Sequence, residues 1–248
     1  MLPARTRAGT RAVVAGGAAY LYGSLPLVYL LGRRRRVDLK RVGSGNVGAT
    51  NLLAAAGFAG AALGWLFDAS KGLLPIAVCR RLGYDERTAR LAGVCGAAGQ
   101  CWPLFLGLNG GRGISAFVGA AYMMDRRAWG GALLPMIAGS LWHVAGRPAH
   151  RSDDTADTDG GSRHGGRGKA VPLGCFVSAL AFPALCAAFD LDAPKRRKAP
   201  TTPAPALLAL VILLRRLTAP LPDDATHGPA VQPRALLYRL LYDRNTSR

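Results

Sequence analysis

The chain has 248 residues, half of them hydrophobic, and 32 Lys and Arg against 14 Asp and Glu give it a net charge of +18. A basic excess of that kind suits nucleic acid, an anionic membrane surface or a phosphorylated substrate. The layout argues against nucleic acid, because the arginines lie between long apolar blocks, whereas a soluble nucleic-acid binder interleaves basic and apolar residues along one face.

A membrane span needs about 20 mostly apolar residues. Residues 12–32 form such a block, with no internal charge. Arg5, Arg7 and Arg11 before it look like the basic start of a signal peptide, but the apolar run continues to Leu31 and then meets Arg33 to Arg36. That pattern is a span followed by a cytoplasmic anchor. Residues 57–78 are apolar except for Asp68 and Lys71, which share a helix face at i, i+3 and can pair, lowering the cost of their position near lipid. Residues 91–108 carry no charge, and 114–124 make a short apolar run of about half a span. Runs at 128–145, 171–189 and 206–214 follow. The expected fold is an all-α, polytopic integral membrane helix bundle with about six or seven membrane segments. It forms a single membrane domain over residues 1–248. Residues 146–169 read as a mobile polar insert, and 219–248 as a proline-rich linker with a cytoplasmic C-terminal tail.

Between the first two blocks lies "GSGNVGATN", residues 43–51, with three glycines and no carboxylate, histidine or cysteine. The positive-inside rule puts it on the cytoplasmic side. Glycine and small polar residues let backbone N–H groups converge into a concave anion site. Hydroxyls and amides add donors. If Thr50 and Asn51 open the next helix, its positive end also faces the anion. Gly110-Gly111-Arg112-Gly113 forms a second glycine cluster, whose guanidinium can clamp phosphate oxygens. Phosphate is the natural occupant of both. No Gly-Lys-Ser/Thr follows at Walker spacing. The same glycines also suit tight turns between helices, and loop chemistry alone leaves both readings open. Five cysteines without a CxxC pair read as reduced core thiols, and His143, His150, His164 and His227 lack ligand spacing, so no metal site is expected.

Four pieces together resemble a known family: "YGSLPLVYLLG" (22–32), "GSGNVGATN" (43–51), "DASKGLLP" (68–75) and "WPLFLGLNGGRG" (102–113). In order and separation they are similar to the bacterial acyl-phosphate-dependent glycerol-3-phosphate acyltransferases of the PlsY type. "AVPLGC" (170–175) and "LLYRLLYDRNT" (236–246) resemble later family segments more faintly. The resemblance implies a helix bundle in the bacterial plasma membrane with its motif loops facing the cytoplasm. It implies transfer of a fatty acyl group from acyl phosphate to the 1-hydroxyl of glycerol 3-phosphate, giving lysophosphatidic acid, without metal or other cofactor. The implied partners are these two substrates and membrane lipid, with no nucleic acid. Carried over onto this sequence, Ser44, Asn46 and Arg112 are the expected catalytic residues. Gly43, Gly45, Gly48, Thr50, Asn51, Gly110, Gly111 and Gly113 are expected to bind substrate.

Several positions depart from the family pattern. Arg112 replaces a lysine, Ala54 an arginine, Gln100 a histidine and Asn109 a lysine, while Pro172 and Cys175 replace serines. Arg215, Arg216, Arg234 and Arg239 are further cations that can supply the missing charge. The departures leave a second reading, a catalytically silent paralogue that binds phospholipid or partner subunits. A transporter would show paired half-helices in two matching repeats, and none is visible.

Overall fold

Pro26 divides the first apolar block, because proline lacks the amide a helix interior needs and disfavours helical backbone just before it. In the computed structural model, which describes residues 4–41, 46–145, 170–192, 203–219 and 233–243, α1 (Ala4–Gly23) ends ahead of it and α2 (Leu27–Arg34) begins after it. Then come α3 (Ala49–Arg81), α4 (Glu86–Cys101), α5 (Ile114–Met124), α6 (Arg126–Ala145), α7 (Ala170–Asp192), α8 (Ala204–Thr218) and a last helix, α9 (Pro233–Tyr242). No strand occurs among the described residues. Three stretches within them, Gly9–Arg34, Ala56–Arg81 and Ala170–Asp190, are long and apolar enough to cross a membrane.

Each apolar block of the sequence contains helix, and beyond the break at Pro26 the structure departs from the sequence reading in two more places. The block at 91–108 does not continue as one helix. It stops at Cys101, where Trp102 and Pro103 turn the chain, and a 3-10 turn, Leu104–Leu106, follows. A helix also stands where the sequence reading has only a tail: α9 packs against α7 and α8. The insert at 146–169 lies outside the described residues, as do 220–232 and 244–248.

The helices touch through small residues. A Cβ at Gly72 of α3 would come within 2.0 Å of the Ala116 carbonyl on α5, and one at Gly96 of α4 within 2.0 Å of the Lys71 carbonyl. Close backbone approach of this kind is how helices associate in lipid, where apolar burial alone gives little drive. The core seals around Phe117 and Phe182, whose rings meet edge to face at 5.7 Å. Large apolar side chains such as Phe58, Leu66, Leu134 and Trp142 point outward.

Asp68 and Lys71 do pair, at 2.8 Å, inside the bundle with both side chains almost fully buried. At the end of the bundle where α3 and α5 begin, Leu39 and Leu52 are buried with Val28 and anchor the segment after α2 beneath α3.

Candidate active site

The two glycine-rich loops meet. Gly111 lies so near the first loop that a Cβ there would stand 3.0 Å from the Val47 carbonyl. Lys40 Nζ reaches the Leu106 carbonyl at 3.4 Å, a second tie between the segments that carry them. Asn51, one turn into α3, donates from Nδ2 to the carbonyls of Leu39 (3.0 Å) and Asn46 (3.1 Å). Its amide therefore braces the loop.

Between the loops opens a cavity of about 540 Å³. Asn46, Gly48 and Thr50 line it from the first loop and the start of α3; Gly111, Arg112 and Gly113 line it from the second. Asn51 and Gly110, expected to bind substrate, do not line it. The Gly110 carbonyl instead accepts a hydrogen bond from Arg215. Gly43, Ser44 and Gly45 lie outside the described residues.

The glycines of the two loops are under different constraints. Gly48 is the N-cap of α3 with φ −140° and ψ 163°, extended backbone open to any residue. Gly48 therefore supplies no positive φ to the first loop. What crowds it is the Asn46 side-chain amide, 3.1 Å from where a Cβ would stand. Gly113 does need the left-handed region: its φ is 78°, and a Cβ would lie 2.5 Å from Cys101 Sγ. Gly113 caps α5, so the backbone reversal there aims the start of that helix at the cavity.

The cavity has two chemical ends. Asn46, Thr50, Gln100, Arg112, Ser115 and Arg216 supply polar groups, while Trp65, Met136, Ile137, Leu141 and Val171 supply an apolar wall. Such a space fits a molecule with an anionic head and a hydrocarbon tail. Four of the positions that depart from the family pattern, Gln100, Arg112, Pro172 and Cys175, line this same cavity, whereas Asn109 is exposed outside it. The Gln100 Oε1 accepts the Ala116 amide at 3.3 Å and so ties α4 to α5.

The additional arginines divide by role. Arg215 is buried and donates to the carbonyls of Gly110 (2.8 Å) and Gly111 (3.0 Å) beneath the second loop. Arg216 lines the cavity, donates to the carbonyls of Leu240 (2.7 Å) and Leu241 (3.2 Å) at the end of α9, and also reaches the Pro172 carbonyl. Arg239 binds the Ala219 carbonyl and holds α9 against the end of α8. The Arg234 side chain lies outside the described residues.

Arg112 does not face the cavity alone. Its Nε lies 2.6 Å from a carboxylate oxygen of Asp243, just beyond α9. Sequence reasoning did not find Asp243, Ser115 or Ser140 as cavity residues. The signal that points to Asp243 is the faint "LLYRLLYDRNT" resemblance, which contains it.

Comparison with known proteins gives the family and the fold. A family model described as glycerol-3-phosphate acyltransferase matches residues 13–145. The chain is 44% identical over 108 residues to glycerol-3-phosphate acyltransferase 4 of Dehalococcoides mccartyi, covering 43% of this chain and 47% of that one. It is 34% identical over 142 residues to the glycerol-3-phosphate acyltransferase of Dinoroseobacter shibae, covering 57% and 66%. It thus spans about half to two thirds of the length of these relatives. In fold it is similar to the crystal structure of PlsY (YgiH), an integral membrane glycerol 3-phosphate acyltransferase, in its glycerol 3-phosphate form. The TM-score is 0.61 at 23% identity, over 83% of this chain and 88% of that one.

Proposed function

The chain belongs to the glycerol-3-phosphate acyltransferase family, and we propose that it moves a fatty acyl group from acyl phosphate to the 1-hydroxyl of glycerol 3-phosphate. The products are lysophosphatidic acid and phosphate. The observation that carries this reading is one continuous cavity, polar where the two glycine loops meet and apolar along α6 and α7. Both substrates bear phosphate, and one bears a lipid tail, so one amphipathic space serves both.

Acyl phosphate is a mixed anhydride with a good leaving group. The hydroxyl oxygen of glycerol 3-phosphate forms a bond to the acyl carbon, the bond from that carbon to the phosphate oxygen breaks, and the departing phosphate takes the hydroxyl proton. The protein's task is then to bring the two reactants together and to stabilise negative charge. Arg112 and Arg216 are the cations at the polar end, Asn46, Thr50 and Ser115 add hydrogen-bonding groups, and the start of α3 adds its dipole. The aliphatic tail lies along Trp65, Met136, Ile137 and Leu141.

In this reading the protein sits in the bacterial plasma membrane with both loops toward the cytoplasm, supported by the basic run Arg33 to Arg36. The test supplies labelled glycerol 3-phosphate to purified protein with either acyl phosphate or acyl-coenzyme A. Labelled lysophosphatidic acid from acyl phosphate, and none from the thioester, is the expected result. Product from the thioester alone, or from neither donor, contradicts the reading. An impermeant thiol reagent applied to Thr50→Cys should label it only after permeabilisation.

A further inference from the structure

Asp243 enters the polar end of the cavity from just beyond α9, at a backbone φ of 54°. One of its carboxylate oxygens sits 2.6 Å from Arg112 Nε, and the pair is mostly buried, at 19% and 10% side-chain exposure. The other oxygen, Oδ1, is buried without a hydrogen-bond partner among the described residues. Arg216 Nε, in the same cavity, is also buried with no partner among them. Buried polar atoms are nearly always satisfied, so an unsatisfied acceptor and an unsatisfied donor at one end of one cavity call for an explanation.

A carboxylate oxygen on a guanidinium has the geometry of a phosphate oxygen on a guanidinium. We propose that Asp243 sets the affinity and anion selectivity of the site, its carboxylate holding the place on Arg112 that a substrate phosphate takes, so that a phosphate must displace it to bind. This rests on the reading of the cavity as a phosphate site. The competition favours the more highly charged anion. A carboxylate carries one negative charge and a phosphate monoester close to two at neutral pH. Phosphate also has enough oxygens to engage Arg112 and Arg216 Nε together. A monoanion of similar size has no such advantage over Asp243. Arg216 holds the end of α9 through the Leu240 and Leu241 carbonyls, so Asp243 stays beside the cavity when its side chain leaves Arg112 and returns when product departs.

The test is calorimetric titration of the full chain in detergent with glycerol 3-phosphate, inorganic phosphate and glycerate, the carboxylate analogue. Wild-type protein is expected to bind glycerol 3-phosphate and to discriminate strongly against glycerate. Asp243→Asn should bind inorganic phosphate and glycerol 3-phosphate tighter by about fivefold or more and should admit glycerate. Adding Arg112→Gln to the same chain should erase that gain. Asp243→Ser, which also removes the charge, guards against an idiosyncrasy of the amide.

Unchanged or weaker binding in both variants would overturn the proposal, as would a gain that survives Arg112→Gln. Loss of the fold in both would count against it too, since a displaceable carboxylate is not needed for structure. Turnover is recorded separately. A chain that binds glycerol 3-phosphate with the expected Asp243 dependence, yet releases no phosphate from acyl phosphate, refutes the acyl-transfer reading and leaves this one standing. A wild-type chain that binds neither phosphate ligand overturns both.

Discussion

Arg215 donates from Nη2 to the Gly110 carbonyl at 2.8 Å and from Nε to the Gly111 carbonyl at 3.0 Å, so a guanidinium from α8 fixes the second glycine loop from beneath. The carbonyls of two buried glycines thereby gain a charged donor. Arg215→Met should leave both unsatisfied and destabilise the protein by about 2–3 kcal/mol. Arg215→Lys should recover part of that, because an ammonium lacks the planar fork that serves two adjacent carbonyls. Thermal unfolding in detergent reads both changes. Equal melting temperatures for wild type and Arg215→Met would remove Arg215 from this role.

The pair Asp68–Lys71 sets up a non-additive result. Removing one member of a buried ion pair strands the other, at a cost of about 3–5 kcal/mol, whereas replacing both is often tolerated. Lys71→Met should therefore be more destabilised than the double variant Asp68→Asn with Lys71→Met. Stability measured across the four-member cycle checks this. A double variant no better than Lys71→Met alone would show that the two residues are not coupled.

Much of this was legible in the residues themselves. Segment α5 appears in the sequence with its observed bounds because "ISAFVGAAYMM" is an uninterrupted apolar run between Gly113 and Asp125. The Asp68–Lys71 pair follows from i, i+3 spacing alone. What hydropathy misses is where an apolar run changes direction, as at Pro26 and at Pro103, because proline is apolar on such a scale and yet breaks the helix. The site was readable as two loops but not as one cavity. Asp243 lies 131 residues from Arg112, and nothing local to either announces the partner. Likewise, four spare arginines were visible, but only tertiary packing sends Arg215 under a loop and Arg216 into the cavity.

Gly48 and Gly113, loop glycines with opposite constraints, give a paired test. Gly113→Ala forces a Cβ into a left-handed backbone 2.5 Å from Cys101 Sγ and 2.7 Å from Ile212 Cδ1, distorting the start of α5. Its acyltransferase activity should fall more than tenfold, roughly 1.4 kcal/mol or more of transition-state stabilisation. Gly48→Ala meets only the end of the Asn46 side chain in extended backbone and should lose much less. A larger loss at Gly48 than at Gly113 would contradict this account of the loops.

Asp85 offers a stability change with a pH signature away from the cavity. It caps α4, accepting the Thr88 hydroxyl at 2.6 Å and the Thr88 amide at 3.0 Å. Those bonds, the hydroxyl foremost, hold its carboxyl below the usual aspartate range. A depressed value means stabilisation that is fully present above the unfolded pKa and lost as pH falls through the folded one. Asp85→Ala should cost about 1 kcal/mol at pH 7. The gap between variant and wild type should narrow in strongly acidic buffer. A gap that widens there would reverse the sign of the argument.

The most direct measurement is phosphate release from acyl phosphate by purified protein, with and without glycerol 3-phosphate, alongside the yield of lysophosphatidic acid. Transfer within one cavity predicts release that depends on glycerol 3-phosphate and matches lysophosphatidic acid one for one. Release at the same rate without the acceptor, or none with it, would contradict the proposed function.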